Sequence, residues 1–124
     1  MSDIARAAQA LAGARFRLHG RSAETGLDCV GVAALATGVR APTGYPLRGM
    51  ATATAVDWIE GAGFRAVDSG GPGDLMLLRT GPGQLHLAVK TERGFVHADA
   101  GLRRVVERPG APEWEILGIW RRLS

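Results

Sequence analysis

The sequence of 124 residues contains one cysteine and few aromatic residues. A single cysteine cannot form an intramolecular disulfide, so a disulfide-stapled fold is excluded. Aromatic residues make up only 6% of the chain, and aliphatic side chains must therefore fill most of its core. The arginines occur in separated pairs such as Arg103-Arg104 and Arg121-Arg122, without the dense basic run typical of nucleic-acid binding. The net charge of +3 then indicates a solvated basic face, which also suits an anionic polymer.

Long apolar segments are also missing. The first residues, MSDIARAAQALAG, have no apolar stretch long enough for a secretion signal or a membrane span. We therefore expect a protein that is cytoplasmic at synthesis, or that reaches its target by a route other than standard export. His19, His86 and His97 do not follow the spacing of a zinc motif, and no second cysteine supports them. Neither a metal nor another cofactor is predicted.

The remaining composition is that of an ordinary globular domain. Hydrophobic residues make up 46% and charged residues 22% of the chain. The length suits one domain over residues 1–124, since neither a linker nor an internal repeat divides it. The 18 glycines predict many tight turns.

Helices are predicted in the first half of the chain and strands in the second. Asp3 is placed to cap a first helix of about residues 4–12, and a further helix covers about residues 51–60. Residues 39–49 form a loop in which Tyr45 and Arg48 are candidates to line a groove. Strands are predicted near residues 74–78, 85–90, 95–98, 103–107 and 115–121. This order predicts an α+β domain with a central helix packed against an antiparallel meander.

The central helix begins at the cysteine. Asp28 is placed as its N-cap, the apolar stretch CVGVAALA follows, and Gly38 ends it. This helix is apolar nearly all round and is expected to be buried. The partial positive charge of a helix N-terminus would stabilise a Cys29 thiolate, and free backbone N–H groups there can face an oxyanion. On composition alone, however, such a cysteine is more often a core residue.

Two histidines lie on neighbouring predicted strands. With a turn centred between Glu92 and Arg93, Ala88 opposes His97 in an antiparallel hairpin. His86 and His97 then share one face as diagonal neighbours, within reach of their rings. One histidine can hold the tautomer of the other, as the third member of a catalytic triad does. The cysteine and both histidines together favour nucleophilic catalysis more than any one of them alone.

Several motifs occur together in one order along the chain. They read Phe16-Arg17-Leu18-His19-Gly20, Asp28-Cys29-Val30-Gly31, Gly73-Asp74-Leu75, His86-Leu87-Ala88-Val89 and Phe95-Val96-His97-Ala98. This order, spread over about residues 4–108, resembles the NlpC/P60 family of cell-wall cysteine peptidases, which have a papain-like fold. The resemblance implies that Cys29 is the nucleophile, His86 the base and His97 the polar third residue.

The resemblance also suggests residues around the nucleophile. Asp28 is first a helix cap and second a substrate contact, and Phe16 and His19 lie where the oxyanion or the substrate would be positioned. Phe16 stands where the family often has a tyrosine, and Val30 replaces a common serine. Neither departure removes a catalytic group, but Phe16 cannot donate a hydrogen bond. Trp58, Trp114 and Trp120 are interpreted as packing residues.

The implied activity is hydrolysis of the peptide part of peptidoglycan, at the bond that joins D-γ-glutamate to a diamino acid. The short chain and its end, from Trp114 to Arg122, resemble versions carried by phage tails and gene transfer agents. Such a particle would be the partner that delivers the protein to the periplasm. An amidase or transpeptidase acting on another small amide, and a tail assembly protein that kept the fold, are the alternatives.

Overall fold

The computed structural model describes residues 2–41, 45 and 49–123, which form three helices and eight strands. The helices are α1 (Asp3–Ala10), α2 (Cys29–Thr37) and α3 (Thr52–Gly61). The strands are β1 (Arg21–Ser22), β2 (Gly26–Leu27), β3 (Phe64–Ala66), β4 (Leu75–Gly81), β5 (Gln84–Lys90), β6 (Gly94–Asp99), β7 (Arg104–Pro109) and β8 (Glu115–Arg122). Over the described ranges, none of these helices is long and apolar enough to cross a bilayer.

Six of the strands form one antiparallel sheet in the order β3-β8-β4-β5-β6-β7, while β1 and β2 form a separate ribbon. Helix α2 packs against β5 and β6, in the middle of the chain's core. Leu27, Val32, Leu77, Val96 and Val105 are among the residues buried in that core. The predicted α+β architecture, a cysteine-bearing helix on an antiparallel sheet, is confirmed.

The predicted start of α1 is wrong by one residue. Ser2 is the N-cap, and its hydroxyl accepts a hydrogen bond from the Ala5 N–H at 3.3 Å. Asp3 is instead the first helical residue, where its negative charge faces the positive end of the helix dipole. Serine and aspartate are comparable caps, so their adjacent positions gave the sequence no way to rank them.

Helix α2 has the predicted ends, and most of it is buried as predicted. Asp28 caps it by accepting the Gly31 N–H at 2.8 Å, and Gly38 ends it with a φ of 73°. Val32 and Ala36 face the core, whereas 44% of Leu35 is exposed. Six of its nine residues are buried, because α1 packs against it as well as β5 and β6, and the expected burial is confirmed apart from the side that carries Leu35.

A close approach of two backbones fixes the chain in front of α2. A Cβ atom added to Gly31 would lie 2.2 Å from the Gly20 carbonyl oxygen, and one added to Gly20 would lie 2.1 Å from the Gly26 carbonyl oxygen. Only glycine permits contacts this close. The segment that contains Phe16 is thereby held against the first turn of α2.

Replacing Gly31 by alanine is therefore expected to lower the free energy of unfolding by about 1–3 kcal/mol, because backbone must shift to admit the methyl group. Urea denaturation measures this loss. Gly61→Ala is the matched control, since Gly61 is also helical and a Cβ atom there meets nothing within 4 Å. Equal stability of the two variants would contradict the close approach.

Candidate active site

One cleft brings the three predicted catalytic residues together. Cys29 enters it from the first turn of α2, His86 from β5 and His97 from β6. We call it the polar cleft, and its lining residues are Phe16, Cys29, Thr80, Gln84, Leu85, His86, His97, Ala98, Asp99, Ala100 and Trp114.

The hairpin of β5 and β6 has the predicted register. Val89 pairs with Val96 and Lys90 with Phe95, and both pairs fit the register in which Ala88 was predicted to oppose His97. The His86 Nε2 and His97 Nδ1 atoms lie 2.8 Å apart, and the two rings are perpendicular. The expected contact between the histidine rings is therefore present as a hydrogen bond.

Asp99 completes a line of polar groups that the sequence did not indicate. His97 is 2% exposed, and among the described residues its Nε2 atom has no hydrogen-bond partner. The Asp99 Oδ2 atom lies 4.0 Å from that nitrogen, while Asp99 Oδ1 accepts the Leu102 N–H at 2.9 Å. Asp99 lies two residues after His97 on β6, and the predicted hairpin register also places it opposite His86; these were the two available signals.

Trp114 packs against both histidines. Its ring centroid lies 5.5 Å from that of His97 and 6.1 Å from that of His86, edge to face in both cases. The guanidinium of Arg108 lies 5.7 Å above the same ring. The sequence predicted packing for Trp114, but not that the packing would shield the histidine pair.

Asp28 connects α2 to the chain around it. Its carboxylate is fully buried and accepts hydrogen bonds from the Gly31 N–H, the His19 N–H at 2.8 Å, the Arg21 guanidinium at 3.1 Å and the Tyr45 hydroxyl. Asp28 is therefore the helix cap that was expected, and it also holds residues 19–21 and Tyr45 in place.

Phe16 and His19 occupy different places. Phe16 lines the polar cleft together with Cys29. His19 has a φ of 60°, and its Nε2 atom is hydrogen-bonded to the Tyr45 carbonyl oxygen at 2.6 Å. The His19 ring therefore braces Tyr45. Tyr45 is buried, and Arg48, the other loop candidate, lies outside the described residues.

Comparison with known proteins finds no matching family model and no matching curated protein. Among solved structures, the fold matches the crystal structure of the NlpC/p60 domain of peptidoglycan hydrolase SagA. The two chains are 25% identical, each is covered over 86% of its length, and the TM-score is 0.55. The chain has an NlpC/P60-like fold. The resemblance suggested by the motifs is confirmed at this level.

The protonation states in this NlpC/P60-like site differ from the expectation. Burial raises the pKa of the Cys29 thiol to about 12, although backbone hydrogen bonds with Leu87 and Val30 oppose that shift. Burial, followed by the neighbouring His97, lowers the pKa of His86 to about 4. This direction opposes the expected thiolate, because loss of hydration outweighs the helix N-terminus. At neutral pH a neutral thiol lies beside a neutral imidazole.

Alkylation of Cys29 by iodoacetamide is expected to be slow at pH 7 and still accelerating at pH 10. A thiol with a pKa near 12 has about 10³-fold less thiolate at neutral pH than free cysteine. Intact-mass measurements over pH 6–10 give the rate, and the urea-unfolded protein is the control. A rate that levels off below pH 8 would show a thiolate present at rest.

The histidines are also not arranged as metal ligands. Within the described part of the chain, no group of three or more His, Cys, Asp or Glu side chains is positioned to hold an ion. The hydrogen bond between the two rings occupies one nitrogen of each, His86 Nε2 and His97 Nδ1.

Proposed function

We propose that this chain is a peptidoglycan hydrolase of the cysteine peptidase type, with Cys29 as nucleophile, His86 as base and His97 as orienting residue. The observation that carries the proposal is the hydrogen bond between His86 and His97 at 2.8 Å, in the same cleft as Cys29. The structural similarity to the NlpC/p60 domain of a peptidoglycan hydrolase supports the reaction class.

Asp99 selects the tautomers that this chemistry needs. A proton on His97 Nε2 faces the Asp99 carboxylate, which leaves His97 Nδ1 as an acceptor. His86 then donates from Nε2, and its Nδ1 lone pair is free to accept the thiol proton. The opposite tautomer of His97 would direct a lone pair at the carboxylate, which is unfavourable.

In the first step, the Cys29 Sγ atom attacks the peptide carbonyl carbon while His86 takes the thiol proton. The C–N bond breaks, and His86 returns that proton to the leaving amine, so that an acyl thioester forms. A water molecule then gives a proton to His86 and attacks the thioester, which releases the carboxylic acid and restores the thiol. Because the thiol is neutral at rest, proton transfer accompanies attack rather than preceding it.

The surroundings of the nucleophile support this reaction. The first-turn N–H groups of Cys29 and Val30 are placed to stabilise an oxyanion, since no earlier helical carbonyl accepts from them. Phe16 would pack beside the substrate, while Asp28 and His19 would keep the first turn in place. The substrate bond we propose joins D-γ-glutamate to a diamino acid.

The test is digestion of purified muropeptides, followed by mass spectrometry of the products. Two fragments separated at the D-γ-glutamyl bond are expected. A cut between the sugar and the first alanine would instead assign an amidase, and fragments joined to an added amine would assign a transpeptidase. Unchanged muropeptides would contradict every form of the proposal.

One observation favours a second candidate, a protein that keeps the fold without turnover. The raised pKa of Cys29 makes the resting thiol a poor nucleophile, as in a structural core cysteine. An assembly protein of a phage-like tail would have such a site. Association with a phage-like particle, and delivery to the periplasm by it, stay predictions from the sequence.

Removing the charge of Asp99 tests the tautomer argument. Asp99→Asn is expected to lower kcat about tenfold while leaving the melting temperature unchanged, because the asparagine keeps the shape but no longer favours one tautomer. Asp99 also raises the pKa of His86, so the acid side of the pH profile should move lower in the variant. An unchanged pH profile would contradict a positioning role for Asp99.

A further inference from the structure

A second cavity also opens on Cys29 and His86. It lies between α2, α3 and strands β3–β5, and has a volume of about 110 Å³. We call it the apolar cavity, and its lining residues include Val30, Ala34, Met50, Ala55, Ile59 and Leu87. Among the residues that the structure describes, only Cys29, Leu85 and His86 line both this cavity and the polar cleft. The nucleophile therefore stands at the boundary between two different environments.

The polar groups in this wall are already engaged. The Thr37 hydroxyl donates to the Ala33 carbonyl oxygen, and the Tyr45 hydroxyl donates to Asp28. His86 is bonded to His97 through Nε2, and Arg40 is exposed to solvent. Arg40 is the one charged residue among the described lining residues, and its exposure places it on the solvent side. A charged group buried among the other described lining residues would find no charged partner, so the interior of the cavity disfavours charge.

The volume limits the size of an occupant. A cavity of roughly 150 Å³ lined by aliphatic side chains holds a benzene molecule. A volume of about 110 Å³ therefore suits a leucine-sized group or a short unbranched chain. Each buried CH₂ group contributes about 0.8 kcal/mol, or roughly fourfold in affinity.

We propose that the apolar cavity is an acyl-binding subsite, which takes an uncharged group of four to six carbons attached to the carbonyl that Cys29 attacks. This proposal rests on the proposed function, since it uses the same nucleophile. It extends the activity to esters and thioesters of short apolar acyl chains. A γ-glutamyl acyl group carries its charged α-carboxylate just beyond two CH₂ groups, so it would lie in the polar cleft, and the apolar cavity would serve uncharged acyl groups.

The reaction to follow is transfer of the acyl group from a p-nitrophenyl ester to Cys29. The Sγ atom forms a thioester, the ester bond breaks, p-nitrophenolate leaves and the thiol proton passes to His86. Water then hydrolyses the thioester to the carboxylic acid. Acetate, butyrate and hexanoate esters differ only in the chain that enters the cavity.

For the whole protein, kcat/KM is expected to be at least tenfold higher for the hexanoate ester than for the acetate ester, with the acyl group on Cys29 by intact mass. Ala34→Leu, which fills the cavity, should abolish this preference, so that the ratio of the hexanoate to the acetate kcat/KM falls to about one. Ala53→Leu is the matched control, because Ala53 is an exposed alanine of α3 outside the cavity lining. If Ala34→Leu does not fold, Met50→Ala should move the preference to the octanoate ester.

Four outcomes would overturn the proposal in different ways. Acylation of Cys29 at equal rates by all the esters overturns the acyl subsite and leaves the proposed hydrolase standing. Cleavage of muropeptides without acylation of Cys29 by any ester also overturns the acyl subsite and leaves the proposed hydrolase standing. Failure with both substrates overturns the nucleophile itself, and with it both proposals. A preference for hexanoate that survives in Ala34→Leu and Met50→Ala also places the acyl chain elsewhere.

Discussion

Replacing Cys29 by alanine is expected to abolish muropeptide hydrolysis, with a loss of at least about 10³-fold. The proposed reaction passes through a thioester, and alanine offers no atom that can form one. The residual rate would be that of water attack in a cleft that still binds substrate. Product formation followed by liquid chromatography measures the loss.

A fold control accompanies this variant. Cys29 is 5% exposed and lines both the polar cleft and the apolar cavity. Its replacement by alanine removes one buried sulfur atom and should lower the free energy of unfolding by about 1 kcal/mol. A circular dichroism melt separates that cost from loss of chemistry. A folded variant that hydrolyses muropeptides at the original rate would exclude Cys29 as the nucleophile.

Replacing His86 by alanine is expected to lower kcat by about 10³-fold, within the range that a general base contributes. Of the described residues that line both the polar cleft and the apolar cavity with Cys29, only His86 can accept the thiol proton, because Leu85 has no polar group. Lys90→Ala is the matched control, since Lys90 lies on the same strand and lines neither cavity. Equal losses in the two variants would show a general effect of altering β5.

The pH profile gives a second readout for His86. A histidine accepts a proton from the thiol only while its ring is neutral, and burial lowers the pKa of His86 to about 4. Activity is therefore expected to persist as the pH falls through 6.5 and to decline only near pH 4. A decline centred near pH 6.5 would show that the active histidine is hydrated and unperturbed.

The elements that hold the site could be predicted because their signals are local. Asp28 and Gly38 mark the two ends of α2, and the short connection after Lys90 fixes the register of β5 on β6. Caps and tight turns depend on residues a few positions apart, which the sequence displays directly. The contact between His86 and His97 followed from that register.

The parts that could not be predicted depend on residues distant in the chain. Trp114 reaches the histidines from the connection between β7 and β8, and no local pattern marks that contact. The raised pKa of Cys29 comes from burial by several elements at once, which the helix N-terminus alone does not reveal. Strand β3 has three residues, too few to show periodicity.

Intact mass spectrometry of the protein, quenched in acid during turnover of a muropeptide, tests most directly whether Cys29 forms a covalent intermediate. The expected result is a species heavier by the acyl fragment of the substrate, with the added mass on the peptide that contains Cys29, and its absence in Cys29→Ala. Continued hydrolysis with no covalent species in the wild-type protein, and an equal rate in Cys29→Ala, would contradict it.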